Sequence, residues 1–335
     1  MSEITTVAVD AMGGDNAPDE IVKGAVEAIN RRRDIKVLLV GDKERVEPIL
    51  SRFVYPKEQF EFIHASEVIE TAESPVDAIR KKKNSSLVIA MKLVKNGKAD
   101  AFVSAGNTGA MLVGGQVIVG RIKGVERTPL AVLMPTSKGI SLLLDCGANV
   151  DARSSHLVQF AKMGSIYMEN VLEKKNPTLG IVNVGAEEEK GNALVKETFP
   201  LLRECPHINF VGSVEAREIP AGAVDIVLCE AFVGNVILKL TEGVGKTMMS
   251  MIKGAIMSSI RSQIGGLLLK SALKKTFKQF DVSEHGGAPL LGLKGLVVKT
   301  HGSAKSKEVA NSIIQCIKFN EHKIASKISA VISSQ

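Results

Sequence analysis

An α/β fold, built on a largely parallel Rossmann-like sheet flanked by helices, is predicted by three observations. Apolar runs of strand length alternate with amphipathic segments of helix length, the pattern of βαβ units. Five of these runs, after Asp10, Ser104, Asp145, Val184 and Cys229, empty into turns bearing glycine with Asp, Asn or Lys. The composition is that of a folded globular chain: 335 residues, 45% hydrophobic and 24% charged. That length allows one large domain or two smaller ones, and we read residues 1–335 as a single α/β/α domain.

The elements follow in order. Thr5–Asp10 is the first strand and leads into Asp10-Ala-Met-Gly-Gly-Asp-Asn-Ala-Pro18, where Asp15 or Asn16 is positioned to cap a helix carrying Ile21, Ala25, Ala28 and Ile29 on one face. Ile35–Val40 and Phe60–His64 are further strands. Leu87, Val88, Met91 and Val94 share a helix face beside the basic cluster Lys81–Lys83, which reads first as a solvated helix end. Ala101–Val103 is a buried strand that ends in the bend Ser104-Ala-Gly-Asn-Thr-Gly109, and Ala110–Val119 resumes a helical pattern. Leu130–Met134 and Ile140–Asp145 flank a Pro-Thr-Ser-Lys-Gly turn. A helix with Leu157, Phe160, Ala161, Tyr167, Met168 and Val171 follows, then strands at Leu179–Val184, Asn209–Val211 and Val224–Cys229. Gly295–Lys299 is the last strand, ending in Thr300-His-Gly-Ser303. The closing helix buries Val309, Ile313, Ile317 and Ile324.

Several function classes lose support. Aromatic residues are 4% of the chain with no Trp, which argues against nucleic-acid binding by base stacking despite a net charge of +7. Cys146, Cys205, Cys229 and Cys316 form no zinc spacing and no disulfide framework, consistent with a reducing cytoplasm. No apolar run reaches membrane-spanning length, and no secretory signal is visible. Gly243-Val-Gly-Lys-Thr247 lacks the earlier glycine of a phosphate-binding P-loop, and the first strand-helix turn lacks Gly-x-Gly-x-x-Gly. The inventory calls for no cofactor and no metal.

Residues 243–280 stand apart. They hold seven basic residues (Lys246, Lys253, Arg261, Lys270, Lys274, Lys275 and Lys278) and no acidic one. Gly265-Gly266 is expected to divide the stretch into two helices. Leu269, Leu273 and Phe277 fall on one face, Lys270 and Lys274 on the next, the pattern of a basic amphipathic helix lying in an anionic membrane surface. Roughly 1 kcal/mol per surface-near cation caps the electrostatic part at about 7 kcal/mol, which suits reversible docking. A helical hairpin packed on a partner subunit satisfies the same pattern.

A ligand in a parallel sheet sits beyond the carboxyl ends of the strands. The loops there offer Lys, Asn, Ser, Thr, His and backbone N–H groups, an inventory suited to holding a phosphate and a developing oxyanion. The ordered set Asp10–Pro18, Ser104–Gly109, Asp145-Cys-Gly-Ala-Asn149, Glu187-Glu-Glu-Lys-Gly-Asn192, Phe232-Val-Gly-Asn235, Gly286-Gly-Ala-Pro-Leu-Leu-Gly292 and His301-Gly-Ser303 resembles that of the PlsX phosphate acyltransferases over nearly the whole chain.

The resemblance implies acyl phosphate formation from acyl-[acyl carrier protein] and inorganic phosphate in bacterial phospholipid synthesis. It also implies an isocitrate/isopropylmalate-dehydrogenase-like fold related to phosphotransacetylases, a homodimer, and a cytoplasmic protein attached peripherally to the membrane. It places the catalytic pair at Lys190 and Asn235; our reading of the loops adds phosphate and substrate binding at Asp10, Gly13, Gly14, Ser104, Gly106, Asn107, Thr108, Gly109, Asn149, Asn192 and His301. Two departures stand out: Glu230-Ala231 where the family is expected to have Asp-Gly, and Ala186 where a Glu is expected. The alternatives are phosphotransacetylase-like transfer with coenzyme A, and a non-enzymatic membrane-surface scaffold.

Overall fold

The computed structural model describes residues 4–278 and 282–333. The chain runs β1 (Thr5–Asp10), α1 (Asp19–Arg31), β2 (Ile35–Gly41), α2 (Lys43–Leu50), β3 (Phe60–His64), α3 (Pro75–Lys81), α4 (Ser86–Lys95), β4 (Ala101–Ser104) and α5 (Thr108–Gly114), which runs on into a π-helical turn to Val119. It continues with β5 (Val132–Thr136), β6 (Gly139–Leu144), α6 (Ser154–Asn170), β7 (Thr178–Asn183), α7 (Ala193–Arg203), β8 (Asn209–Glu215), β9 (Ile226–Leu228), α8 (Ala231–Met257) and α9 (Ile260–Lys278). It closes with β10 (Ala288–Leu290), β11 (Leu296–Lys299), α10 (Ser306–Glu321) and α11 (Ile324–Ser333).

The described strands make two sheets, in the orders β10-β11-β4-β1-β2-β3 and β5-β6-β9-β7-β8. Pairing is parallel except for β10 with β11 and β5 with β6. The period-2 alternation of strands divides the side chains among three apolar layers. In β1, Val7 and Val9 face α1 and α10 while Ala8 faces the other way. In β9, Ile226 and Leu228 face the α6 side while Val227 joins Ala8, Phe102 and Leu143 in a layer shared by both sheets. The central strands therefore read as continuous apolar runs because both of their faces are covered.

Three local expectations need correction. Neither Asp15 nor Asn16 caps α1: Pro18 holds that position without a side-chain bond, and the Asn16 amide instead donates to the Ser303 and Ala304 carbonyls. The closing segment is two helices, parted at Lys323, whose φ is +49°. The strand β10 was not expected, since Ala-Pro-Leu is short and its proline cannot donate.

The basic excursion begins earlier than residue 243, as α8 runs unbroken from Ala231 through the Gly243–Thr247 stretch. The helices divide at Ser258-Ser259, not at Gly265-Gly266. Gly266 lies inside α9, where a Cβ would stand 2.4 Å from Ile256 Cγ2 of α8, so the glycine permits close helix packing. Along the hairpin Met248, Met251, Met257, Ile260, Ile264, Leu267 and Leu268 are exposed. Leu269 is also exposed and Leu273 is half-buried, while the Phe277 side chain lies outside the described residues, as does Phe280. No helix among the described residues is long and apolar enough to cross a membrane.

Candidate active site

In the first sheet β11, β4 and β1 are parallel neighbours, so three loops leave side by side at their carboxyl ends. The chain order reverses between β4 and β1, the switch point where open α/β sheets bind ligands. Asp10 sits there fully buried. Its Oδ2 accepts from Ser104 Oγ at 2.7 Å and its Oδ1 from Met12 N at 3.1 Å. Burial raises the Asp10 carboxyl above the ordinary range, against the pull of hydrogen bonds from Ser86, Ser104, Met12 and Gly13.

Ser104 Oγ in turn accepts from Gly106 N at 2.9 Å. A Cβ at Gly13 would lie 2.5 Å from Asp10 Oδ2 and 2.8 Å from Gly106 N, so only glycine lets these two turns touch. Gly14, at φ +104°, passes Ala105 and the Gly302 carbonyl. Asp15 N donates to Gly302 O at 2.8 Å, which ties the β11 loop to the same knot. His301 is exposed, with Nδ1 2.9 Å from Ser303 Oγ in its own turn.

Asn107 corrects a sequence expectation. Its side chain is spent within the protein. Oδ1 caps α5 by accepting from Ala110 N at 2.9 Å, and Nδ2 donates to the carbonyls of Glu70, Thr71 and Glu73. Gly109 lies against Pro75, where a Cβ would meet Cγ at 2.5 Å, and Thr108 is half-buried beside it. The turn is thus clamped to a loop from more than thirty residues upstream.

In the second sheet β6, β9 and β7 are parallel neighbours and deliver three more loops. Buried Asp145 receives four hydrogen bonds, from Leu130 N, Ala148 N, Asn149 N and Asn149 Nδ2; burial outweighs them and lifts its pKa to about 6. Asn149 also donates to Thr128 O, so its amide is a strut rather than a free ligand. Glu230 caps α8, accepting from Phe232 N at 2.7 Å and Val233 N at 2.8 Å. Ala231 is buried in the first helical turn with ordinary backbone, so the turn does not need a glycine there. At Gly234 a Cβ would lie 1.9 Å from the Asp145 carbonyl oxygen; α8 therefore docks directly on the β6 loop, with Asn235 beside Gly147.

Lys190 ends a short 3-10 turn after β7. It is more than half exposed, and its Nζ pairs with Glu187 at 2.9 Å. Among the described residues no hydrogen bond or ion pair joins it to Asn107, Asn149 or Asn235. Asn192 is exposed and caps α7 through Val195 N. Ala186 is exposed on the same loop. A mostly apolar crevice of about 180 Å³ lies between the carboxyl ends of β7 and β9, lined by Leu157, Val182, Asn192, Val195, Glu230 and Val233.

One further side chain belongs to the first sheet's knot, and the sequence did not single it out. Lys299 ends β11 in register with Ser104 and donates from Nζ to Ala105 O at 3.1 Å and to Thr300 O. Burial pulls its pKa down to about 8; Asp15 and Asp10 oppose that and Lys239 adds to it. Lys239 belongs to α8, one turn beyond Asn235 on the same helix face. A lone lysine at a strand end is an ordinary sequence feature, so nothing in the sequence marked it.

Among the described residues no group of three or more His, Cys, Asp or Glu side chains is arranged for a metal ion. Cys146, Cys229 and Cys316 are buried, and burial raises each thiol pKa, which leaves them protonated.

The fold is that of the phosphotransacylase-type α/β proteins. The solved phosphotransacetylase of Streptococcus pyogenes superposes with a TM-score of 0.61 at 16% identity, covering 95% of this chain and 94% of that one. A 4-hydroxythreonine-4-phosphate dehydrogenase from Klebsiella pneumoniae gives 0.50 at 15% identity, covering 96% and 100%. At such identities these likenesses establish fold alone. A family model described as "Fatty acid synthesis protein" matches residues 5–327. The phosphate acyltransferase of Alkaliphilus oremlandii is 50% identical over 328 residues, 98% of this chain and 97% of that protein. The chain belongs to the PlsX family of phosphate acyltransferases, and it is an acyltransferase.

Proposed function

We propose that this enzyme makes acyl phosphate from acyl-[acyl carrier protein] and inorganic phosphate, for phospholipid synthesis. The observation that supports the reading is the docking of α8 on the β6 loop, which sets Asn235 beside Gly147 at the carboxyl end of the second sheet, together with the Asp10–Ser104–Gly106 knot at the carboxyl end of the first. Loops from both sheets are what a direct transfer between two bound substrates needs.

In the proposed reaction a phosphate oxygen attacks the thioester carbonyl carbon. The carbonyl π pair moves to oxygen and then returns as the C–S bond breaks. The carrier leaves as thiolate, takes a proton from solvent, and acyl phosphate remains. Asn235 donates a hydrogen bond that strengthens as the oxyanion develops, and Lys190, released from Glu187, neutralises charge on the same side. An exposed ion pair is worth at most about 1 kcal/mol, so Lys190 exchanges partners at little cost. The crevice between β7 and β9 offers apolar walls to the thioester arm.

The exposed Met, Ile and Leu side chains of α8 and α9, interleaved with lysines, support peripheral attachment to an anionic membrane surface. We further propose that the enzyme is a cytoplasmic homodimer. Lys81–Lys83, at the C-terminal end of α3, is the patch proposed to receive an acidic carrier protein; within it Lys82 already bonds Glu73.

The test is to supply the purified protein with a long-chain acyl-carrier thioester, with and without phosphate, and to trap product with hydroxylamine. Thioester loss only with phosphate, giving hydroxamate, supports the reading; loss independent of phosphate overturns it. The phosphotransacetylase-like fold makes coenzyme A the second candidate acyl carrier, and acetyl-coenzyme A in the same assay separates the two.

A further inference from the structure

We infer that the crevice between the carboxyl ends of β7 and β9 seats the first carbons of the acyl chain, on the carbonyl side of the thioester, and sets chain-length preference over those carbons alone. The inference deepens the acyl-phosphate reading and rests on it.

The reasoning starts from what the walls can bond. Leu157, Val182, Val195 and Val233 make them apolar. Asn183, Asn192 and Glu230 also line the crevice, and their acceptors are already spent. Asn183 Oδ1 accepts from Val184 N at 2.8 Å, while its Nδ2 donates to Glu187 O and Ser213 Oγ, both at 3.0 Å. Asn192 Oδ1 accepts from Val195 N at 2.9 Å, and the residue is exposed, so its amide nitrogen belongs to the rim. The two oxygens of Glu230 receive Phe232 N and Val233 N.

A pantetheine arm bears amides, which would find few partners between such walls, whereas a hydrocarbon chain asks for none. The Glu230 carboxylate also opposes a free fatty-acid head, but not an uncharged thioester. Position agrees with this choice. Val233 lies two residues before Asn235, and Asn192 two residues after Lys190. Each wall residue is thus within about 8 Å, Cα to Cα, of a proposed catalytic residue.

Size then limits how much chain enters. The crevice holds about 180 Å³. At about 30 Å³ for a water-sized group, that is room for about six methylene-sized groups. The rest of a long chain must lie outside it.

The test uses the full-length protein, inorganic phosphate and carrier-bound acyl thioesters of four, six, ten and sixteen carbons. In the wild type, kcat/KM should rise about fourfold per added methylene between four and six carbons. Between ten and sixteen it should stay within about threefold. Val233→Phe narrows the crevice from a half-buried wall. It should lower kcat/KM for the ten-carbon thioester about tenfold or more and flatten the early rise, while KM for phosphate stays within about twofold. Val182→Phe, from the half-buried wall on β7, should do the same.

A flat wild-type profile from four to ten carbons, or a rise continuing from ten to sixteen, would overturn the seat. So would a folded Val233→Phe enzyme with the wild-type profile, or Val182→Phe where the first variant fails to fold. The wild-type series decides even when neither variant folds. Any of these results with transfer still phosphate-dependent removes the seat and leaves the acyl-phosphate reading standing. Thioester loss that ignores phosphate overturns that reading whatever the chain-length profile.

Discussion

Replacing Gly234 by alanine probes the contact through which the second sheet holds Asn235. The added methyl would lie 1.9 Å from the Asp145 carbonyl oxygen, 3.0 Å from the Asp145 carbonyl carbon and 3.1 Å from Cys229 Sγ. Ordinary contact begins at 3.4 Å, so α8 must move by about 1.5 Å, the difference between 3.4 and 1.9. The obstacle is backbone within a loop pinned by four hydrogen bonds to Asp145, so the helix has to give way.

Overpacking of this kind costs about 1–3 kcal/mol, while alanine in place of glycine returns up to about 1 kcal/mol of helix propensity. The net loss of stability is therefore modest, about 0–2 kcal/mol. Activity responds more strongly, because a displacement of about 1 Å at reacting groups costs on the order of 100-fold. The assay pairs kcat with Tm for Gly234→Ala, alongside Gly245→Ala in the same helix, where a Cβ meets nothing within 4 Å. We expect kcat to fall about 100-fold at position 234 and to hold at 245. A Gly234→Ala enzyme with kcat within twofold of wild type would refute the claim that this contact positions Asn235.

The remaining predictions concern other parts of the cleft and the hairpin. Asn107→Ala removes the α5 cap and strands the 70–73 carbonyls, and should cost about 1–3 kcal/mol in denaturant unfolding while opening that loop to proteolysis. Substituting Leu268 and Leu269 with glutamine should weaken flotation with anionic vesicles by about tenfold or more per residue, at unchanged Tm. Flotation that survives both changes would assign the exposed face to a partner subunit.

Much of this fold was readable from the sequence for a physical reason. Runs such as Thr5–Asp10, Ala101–Val103 and Val224–Cys229 are covered on both faces, so burial left an uninterrupted apolar signature, and their carboxyl-end turns announced a cleft. What was not readable depended on distant neighbours. Gly265-Gly266 looked like a break because the sequence does not show Ile256 arriving from α8. Asn107 looked like a phosphate donor because the carbonyls that claim its amide lie more than thirty residues upstream.

The most direct measurement follows the phosphorus atom. The enzyme is incubated with labelled inorganic phosphate and a long-chain acyl-[acyl carrier protein], and label in acyl phosphate is counted against free carrier thiol. One labelled acyl phosphate is expected per thiol released, with Asn235→Ala slowing both together. Thiol released with no label in an acyl product would contradict it.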